Sequence, residues 1–156
     1  MKTIQISPVF FEFESDFVNT LKCVPMIVRY KLDSCGVKLK LHEWGKFNLK
    51  DKEILAHLSC YTHEEIENYG AFVKHLVREY FGYEASLLSV VNDSWNNINE
   101  VPEEVQEKAA EWKCAAITLK NWIELAMLQR FALVKLSRSG HEGRNFPVAL
   151  SEFGIN

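Results

Sequence analysis

One stretch of the chain, residues 118–136, is apolar around most of its circumference when it is drawn as a helix of about 3.6 residues per turn. Its main polar positions share one narrow stripe, and they are Lys120, Asn121, Glu124 and Lys135. A helix of this kind is normally packed on several sides. The pattern therefore predicts a central buried helix over residues 118–136, with Thr118 as its N-cap. Charged residues interrupt it too often for a membrane span.

Two polar residues depart from that pattern, because Gln129 and Arg130 point into the apolar arc of the predicted helix. A buried guanidinium is unfavourable unless it is paired. We therefore expect Arg130 to meet a carboxylate from elsewhere in the chain, with Asp33 and Glu142 as candidates. The alternative is an arginine that buries its aliphatic stem and keeps its charged end in water.

Apolar residues spaced three and four positions apart predict further helices. The clearest of these begins after Thr62, which forms a capping box with Glu65, and it ends at Gly82. Weaker patterns predict short helices over residues 48–58 and 103–112, and a short final helix or turn over residues 148–155.

Two helix-forming runs near the N-terminus have a proline between them. Ser15 can cap a first helix from Asp16, and Pro25 suits the first turn of a second helix that ends before Gly36. A single helix kinked at Pro25 is the alternative. Residues 37–41 then alternate between apolar and polar side chains, which indicates a short strand or an extended linker.

The two ends of the chain carry different patterns. Residues 1–14 hold an apolar run around Val9 and predict an extended arm that docks on the core. Residues 137–156 begin with a polar, glycine-rich and basic loop and continue into a short C-terminal cap. No repeat or domain break is evident, so we predict a single compact all-α domain over residues 1–156, with about five to six helices around the central one.

Composition narrows the class of protein. Hydrophobic residues make up 47% of the 156-residue chain and charged residues 25%, which is typical of a globular domain. The net charge is -3, so no overall basic field indicates a nucleic-acid partner. The N-terminus lacks the pattern of a signal peptide, and we therefore expect a cytoplasmic protein without a membrane segment.

The residues that could carry chemistry form few recognisable motifs. No phosphate-binding glycine loop, dinucleotide fingerprint or serine-nucleophile motif is present. His57, Cys60 and His63 place three nitrogen and sulfur donors within seven residues, which is a weak candidate for a metal site that lacks a fourth ligand. The alternative is a buried Cys60 flanked by surface histidines. From the residues alone we favour a binding module over an enzyme.

Several stretches are similar to the nitrate reductase-associated protein family. The longest matching run is LQRFALxKLSR at residues 128–138, and the next is CVPMIVRYKLD at residues 23–33. Shorter matching pieces, in chain order, are residues 13–17, 62–69, 101–105, 140–142, 145–146 and 152–154. The pieces cover nearly the whole chain in order, so the resemblance is specific.

The resemblance implies a role in producing active nitrate reductase, which is a molybdenum and iron–sulfur enzyme. We expect a non-enzymatic accessory or maturation factor that binds the catalytic subunit of the reductase during assembly or cofactor insertion. It would have no catalytic residues and no cofactor of its own. The alternatives are a metal or iron–sulfur carrier, and a sensor of a small anion or of nitrogen status. The predicted interaction surface consists of the matching polar residues, which are Arg29, Asp33, Gln129, Arg130, Arg138, His141, Glu142 and Asn145.

Overall fold

The computed structural model describes residues 10–15, 17–91, 93–139 and 142–155, apart from the side chain of Glu142. The protein is mostly helical, with 62% helix and 3% strand. The described residues contain eight α-helices, so the predicted all-α class is confirmed and the predicted helix count was slightly low. None of the helices described has the length and apolar content that crossing a membrane requires.

The chain divides into two compact units, Met1–Val91 and Asn92–Asn156. The first contains α1 (Met26–Cys35), β1 (Val37–Lys38), α2 (Leu41–Lys46), α3 (Leu49–His57), α4 (His63–Phe81) and β2 (Ser86–Leu87). The second contains α5 (Glu103–Glu111), α6 (Leu119–Glu124), α7 (Met127–Arg138) and α8 (Asn145–Glu152). Short 3-10 turns lie at Glu12–Glu14, Ser94–Asn96 and Glu142–Arg144. Each unit has its own core, and the single domain predicted over residues 1–156 stays a prediction.

The N-terminal part of the first unit differs from the prediction. Among the described residues, no α-helix begins before Met26; residue 16 lies outside them, and residues 17–21 form turns. Leu21 adopts a φ of 51°, a left-handed conformation that a continuing helix does not allow. The carbonyl of Leu21 accepts a hydrogen bond from Trp44 Nε1 at 2.9 Å, so a tertiary contact fixes this turn. The kinked single helix is therefore wrong as well.

The predicted arm over residues 1–14 is described only from Phe10 onward, and Val9 lies outside that part. Phe11 is buried, and so is the side chain of Glu14. The Glu14 carboxylate accepts hydrogen bonds from the backbone N–H groups of Phe11 at 3.0 Å and of Met26 at 2.8 Å. Because Met26 is the first residue of α1, this carboxylate satisfies an open N–H group at the start of that helix.

Two predicted helices of the first unit are confirmed in detail. α1 follows Pro25 and ends at Gly36, whose φ of 73° is the left-handed value that glycine adopts without strain. α4 is capped by Thr62, which forms the predicted capping box with Glu65. Between them, the alternating pattern after Gly36 forms a strand for only two residues. β1 pairs antiparallel with β2, which lies in a stretch that shows no clear strand pattern.

A buried lysine crosses the core of the first unit. Lys31 is 3% exposed, and its ammonium group donates to the carbonyls of Ala56 at 2.9 Å and Leu58 at 2.6 Å. These carbonyls lie at the C-terminal end of α3, where helix carbonyls lack partners within the helix. The ammonium group also lies 5.8 Å from the centre of the Tyr69 ring. Lys31 thus joins α1 to the end of α3 and to Tyr69 in the first half of α4.

The second unit corrects the predicted central helix over residues 118–136. Thr118 caps a helix as predicted, but the chain is extended at Leu125 and Ala126, so α6 and α7 are separate helices. In one continuous helix Trp122 and Phe131 would lie on opposite sides, because nine residues correspond to about two and a half turns. The break allows both rings to be completely buried. α7 is buried around most of its surface, as predicted, whereas α6 is exposed on one side.

We predict that replacing Glu14 with glutamine lowers the free energy of unfolding by about 1–3 kcal/mol, because the amide loses the charge and one of its two acceptor positions. Urea unfolding followed by tryptophan fluorescence measures the change. Glu12→Gln is the control, since Glu12 is exposed in the same 3-10 turn and its replacement should alter stability by less than about 0.5 kcal/mol. Equal effects of the two substitutions would contradict the capping role of Glu14.

We also predict that stability rises between pH 7 and pH 9 through Lys31. Burial lowers the pKa of Lys31 from its usual value of 10.5 to about 8. In this pH range the unfolded chain binds more protons at Lys31 than the folded chain, so the free energy of unfolding increases with pH. The increase should be on the order of 1 kcal/mol.

The Lys31→Met variant should lack this increase, and unfolding of the two proteins at pH 7 and pH 9 measures the difference. Burial raises the pKa of Cys60 to about 12, which acts in the opposite direction above the usual pKa of a thiol. Because Cys60 is present in both proteins, comparison with the variant isolates Lys31. The same pH dependence in both proteins would show that Lys31 is not the group responsible.

Candidate functional site

The break between α6 and α7 is held by the two polar residues that depart from the apolar pattern. Gln129 Oε1 accepts the N–H of Ala126 at 2.8 Å, which caps the start of α7. Arg130 Nη1 donates to the carbonyl of Leu125 at 2.6 Å, just beyond the end of α6. Both bonds satisfy backbone groups that a continuous helix would have paired internally. Gln129 and Arg130 are therefore structural residues of this break.

Arg130 is buried, as its position in the apolar arc predicts, with only 9% of its surface exposed. Its Nε donates to the carbonyl of Trp95 at 2.9 Å, and the Trp95 ring meets the Phe131 ring edge-on at 6.0 Å. Burial lowers the pKa of Arg130 below its usual value. Arg130 Nε and Nη1 thus donate to the backbone carbonyls of Trp95 and Leu125, whereas we expected a carboxylate as the partner. Of the two candidates, Asp33 belongs to the first unit and the Glu142 side chain lies outside the described residues.

Arg138 forms the main charged contact at the other end of α7. Its guanidinium donates two hydrogen bonds to the Glu104 carboxylate, from Nε at 2.8 Å and from Nη2 at 2.9 Å. The Ser94 hydroxyl donates to the same carboxylate at 2.9 Å. The hydrogen bond from Arg138 lowers the pKa of Glu104. This two-point contact links α7 to α5, because Glu104 lies in the first turn of α5.

The eight predicted surface residues are divided between the two compact units. Arg29 and Asp33 lie on α1 in the first unit, both half-buried, and Arg29 Nε donates to the carbonyl of Val24 at 3.1 Å. In the second unit Asn145 is the first residue of α8, and it is half-buried. His141 and the side chain of Glu142 lie outside the described residues. A joint interaction surface of these residues stays a prediction.

Glu104 is the partner of Arg138 that the sequence did not reveal. Acidic residues in the first turn of a helix are expected from the helix dipole alone, so Glu103 and Glu104 look alike in the sequence. Glu103 is exposed, whereas Glu104 is half-buried and bonded to Arg138. The spacing of these residues gives no signal that distinguishes them.

The three candidate metal ligands lie in different surroundings. His57 and His63 are exposed; His57 Nδ1 lies 2.7 Å from the Glu53 carbonyl, and His63 Nε2 lies 3.2 Å from the Glu67 carboxylate. Cys60 is buried, and its thiol donates to the carbonyl of Lys31 at 3.7 Å. Burial raises the pKa of Cys60 to about 12, so the thiol keeps its proton at neutral pH. In the part of the chain that the structure describes, no three histidine, cysteine, aspartate or glutamate side chains are placed to hold one metal ion.

A cavity of about 390 Å³ lies between α1 and α4 in the first unit. Its lining residues are Cys35, Ile66, Glu67, Gly70, Ala71, Lys74 and Arg78. Gly70 lets the two helices approach closely, since a Cβ added there would lie 3.3 Å from the Cβ of Cys35. Arg78 already binds the Glu84 carboxylate through two hydrogen bonds of 3.1 Å. Burial raises the pKa of Cys35, so the cavity presents a neutral thiol.

We predict that Arg130→Lys lowers the melting temperature by about 5 °C or more. The planar guanidinium holds two donor nitrogens in fixed positions that reach the carbonyls of Trp95 and Leu125, and a single ammonium group does not reproduce that geometry. Differential scanning calorimetry measures the shift. Arg144→Lys is the matched control, since Arg144 is exposed in the same unit. A shift of similar size in the control, or none at Arg130, would contradict the proposed role in the helix break.

Comparison with known proteins gives a family and no closer relative. Neither the curated proteins nor the solved structures contain a match to the chain. One family model, described as conserved nitrate reductase-associated protein, matches residues 10–153. The match covers both compact units, including α1 and the whole of α7. The chain therefore belongs to the conserved nitrate reductase-associated protein family.

Proposed function

We propose that this protein is a non-enzymatic accessory factor that binds the catalytic subunit of nitrate reductase while the enzyme is assembled and receives its cofactors. The observation that carries the proposal is the family match over residues 10–153, which links the chain to nitrate reductase by association. A factor of this kind binds its partner reversibly and needs no turnover of its own.

The chemistry of the described side chains supports binding over catalysis. Enzymes commonly use buried charged or nucleophilic groups whose polar atoms reach substrate. Here Arg130 binds two backbone carbonyls, Lys31 binds two more, and the Cys60 thiol stays protonated. Each of these groups has a structural partner, so their unusual environments are explained by the fold.

A maturation role explains why such a protein would be separate from the reductase. A molybdenum and iron–sulfur enzyme exists in a cofactor-free form before its cofactors are inserted. A partner that prefers the cofactor-free enzyme stabilises that state by mass action and leaves when the preference is lost. A permanent subunit would instead bind both forms alike. The two roles therefore differ in which form of the reductase is bound.

We predict that the tagged protein recovers more catalytic subunit from cells that cannot synthesise the molybdenum cofactor, and therefore hold the cofactor-free enzyme, than from cells with complete cofactor. The expected ratio is about fivefold or more, which corresponds to about 1 kcal/mol of preference. Quantitative mass spectrometry of the eluates, normalised to reductase abundance in each lysate, gives the ratio. Cells that carry the tag alone are the control.

Equal recovery of the two forms would overturn the maturation role and leave the association intact. No reductase in either eluate would contradict the association itself. Arg130 should not be used to locate the interface, because its substitution acts on the helix break between α6 and α7.

A further inference from the structure

The segment over residues 38–52 is strongly basic in a chain whose net charge is -3. It contains five lysines and two carboxylates, Glu43 and Asp51. Four of the lysines are exposed, namely Lys38, Lys40, Lys46 and Lys50. The fifth, Lys52, is buried over the Trp44 ring, with its nitrogen 5.5 Å from the ring centre.

Both carboxylates of this segment face tyrosine hydroxyl groups. Glu43 is fully buried, and it accepts the N–H of Lys40 at 2.8 Å and the hydroxyl of Tyr83 at 2.8 Å. Asp51 accepts the hydroxyl of Tyr80 at 2.6 Å. The acidic groups are thus held against the end of α4, while the lysine ammonium groups extend into solvent.

The same contacts bring α2, α3 and the end of α4 together on one surface. The Tyr80 ring lies 4.9 Å from the Phe47 ring, and its hydroxyl accepts the N–H of Asn48 at the start of α3. The Tyr83 hydroxyl reaches α2 through Glu43. We name this surface the basic face, and it consists of Leu41, Lys46, Leu49, Lys50, Tyr80 and Tyr83.

The basic face also exposes apolar surface. Leu41 is 71% exposed and Leu49 is 45% exposed, each at the first position of its helix. Tyr80 and Tyr83 are exposed by 36% and 41%, with their hydroxyl groups already hydrogen-bonded. Rigid tyrosines beside apolar side chains, within a rim of charge, are typical of the centre of a protein interface.

We propose that the basic face docks on an acidic protein surface with an apolar centre. The inference rests on the proposed function, and it identifies the partner as the polypeptide of the reductase catalytic subunit. The family description supplies the identity of this occupant, and charge complementarity supplies its surface chemistry. The lysines select an acidic rim and speed the encounter, while Leu41 and Leu49 are buried on contact.

A protein partner fits the face better than a nucleic acid or a membrane does. The exposed cations are all lysines, whereas arginine is preferred for paired contacts with phosphates and bases. Tyr80 and Phe47 already pack ring to ring, so the Tyr80 ring has less surface for stacking with a base. α2 has six residues, which is short for a helix that inserts an apolar side into a membrane.

The test combines Lys46→Glu with Lys50→Glu and measures binding to purified, cofactor-free catalytic subunit by biolayer interferometry. We expect the double variant to bind at least about tenfold more weakly. Binding by the unchanged protein should weaken steeply between about 50 and 500 mM salt, and binding by the variant should weaken much less. Lys22→Glu with Lys120→Glu is the matched control, because both lysines are exposed and neither belongs to residues 38–52. The control should stay within about twofold.

A second variant, Leu41→Ser with Leu49→Ser, tests the apolar centre without changing charge. It should weaken binding and leave the salt dependence unchanged, and circular dichroism should show the helix content of the unchanged protein for every variant.

Undiminished binding by the lysine variant would overturn the basic face while the association with the reductase stands. Absence of binding by the unchanged protein would overturn both. Salt-dependent binding to mixed-sequence RNA or to phosphatidylserine vesicles, lost in the lysine variant while reductase binding persists, would assign the face to another partner.

Discussion

Buried helix ends in this protein are satisfied by charged or amide side chains, and the packing of both units depends on this constraint. Short helices leave many backbone groups without partners, because each helix end has up to four open N–H or C=O groups. Glu14 accepts at the start of α1, Lys31 donates at the end of α3, and Arg130 donates at the break between α6 and α7. Each side chain is buried, so removing one partner of such a pair would leave the other buried without a hydrogen bond, and this would destabilise the protein.

Because of this constraint, a buried charged residue in this protein does not by itself indicate a functional site. A buried arginine or lysine in an apolar helix attracts attention as a site residue, because such groups are rare without a partner. In this protein the partners of Lys31 and Arg130 are carbonyl oxygens of neighbouring segments, so these contacts give both residues a structural role. Exposed lysines such as Lys46 on α2 and Lys50 on α3 are better candidates for contact with another protein. The family description names nitrate reductase, which is the partner we propose for that contact.

Local signals in the sequence predicted the elements that local physics controls. The capping box at Thr62, the proline before α1 and the glycines at residues 36 and 82 each act within one turn of the chain, and the structure has helix ends at all of them. Glu104 was not recognisable, because its partner Arg138 is 34 residues away and an acidic first turn has a sufficient local explanation.

The sequence by itself determined the helical class, most helix boundaries and, through its matching motifs, the family. Only the tertiary structure decided that residues 118–136 form two helices, since burying both Trp122 and Phe131 requires a turn between them and no proline or glycine marks it. It also decided that Gln129 and Arg130 hold that turn, and that the two-residue strand β1 finds its partner in β2. These outcomes depend on which distant groups are brought within hydrogen-bond distance, and a linear pattern of apolar and polar residues does not contain that information.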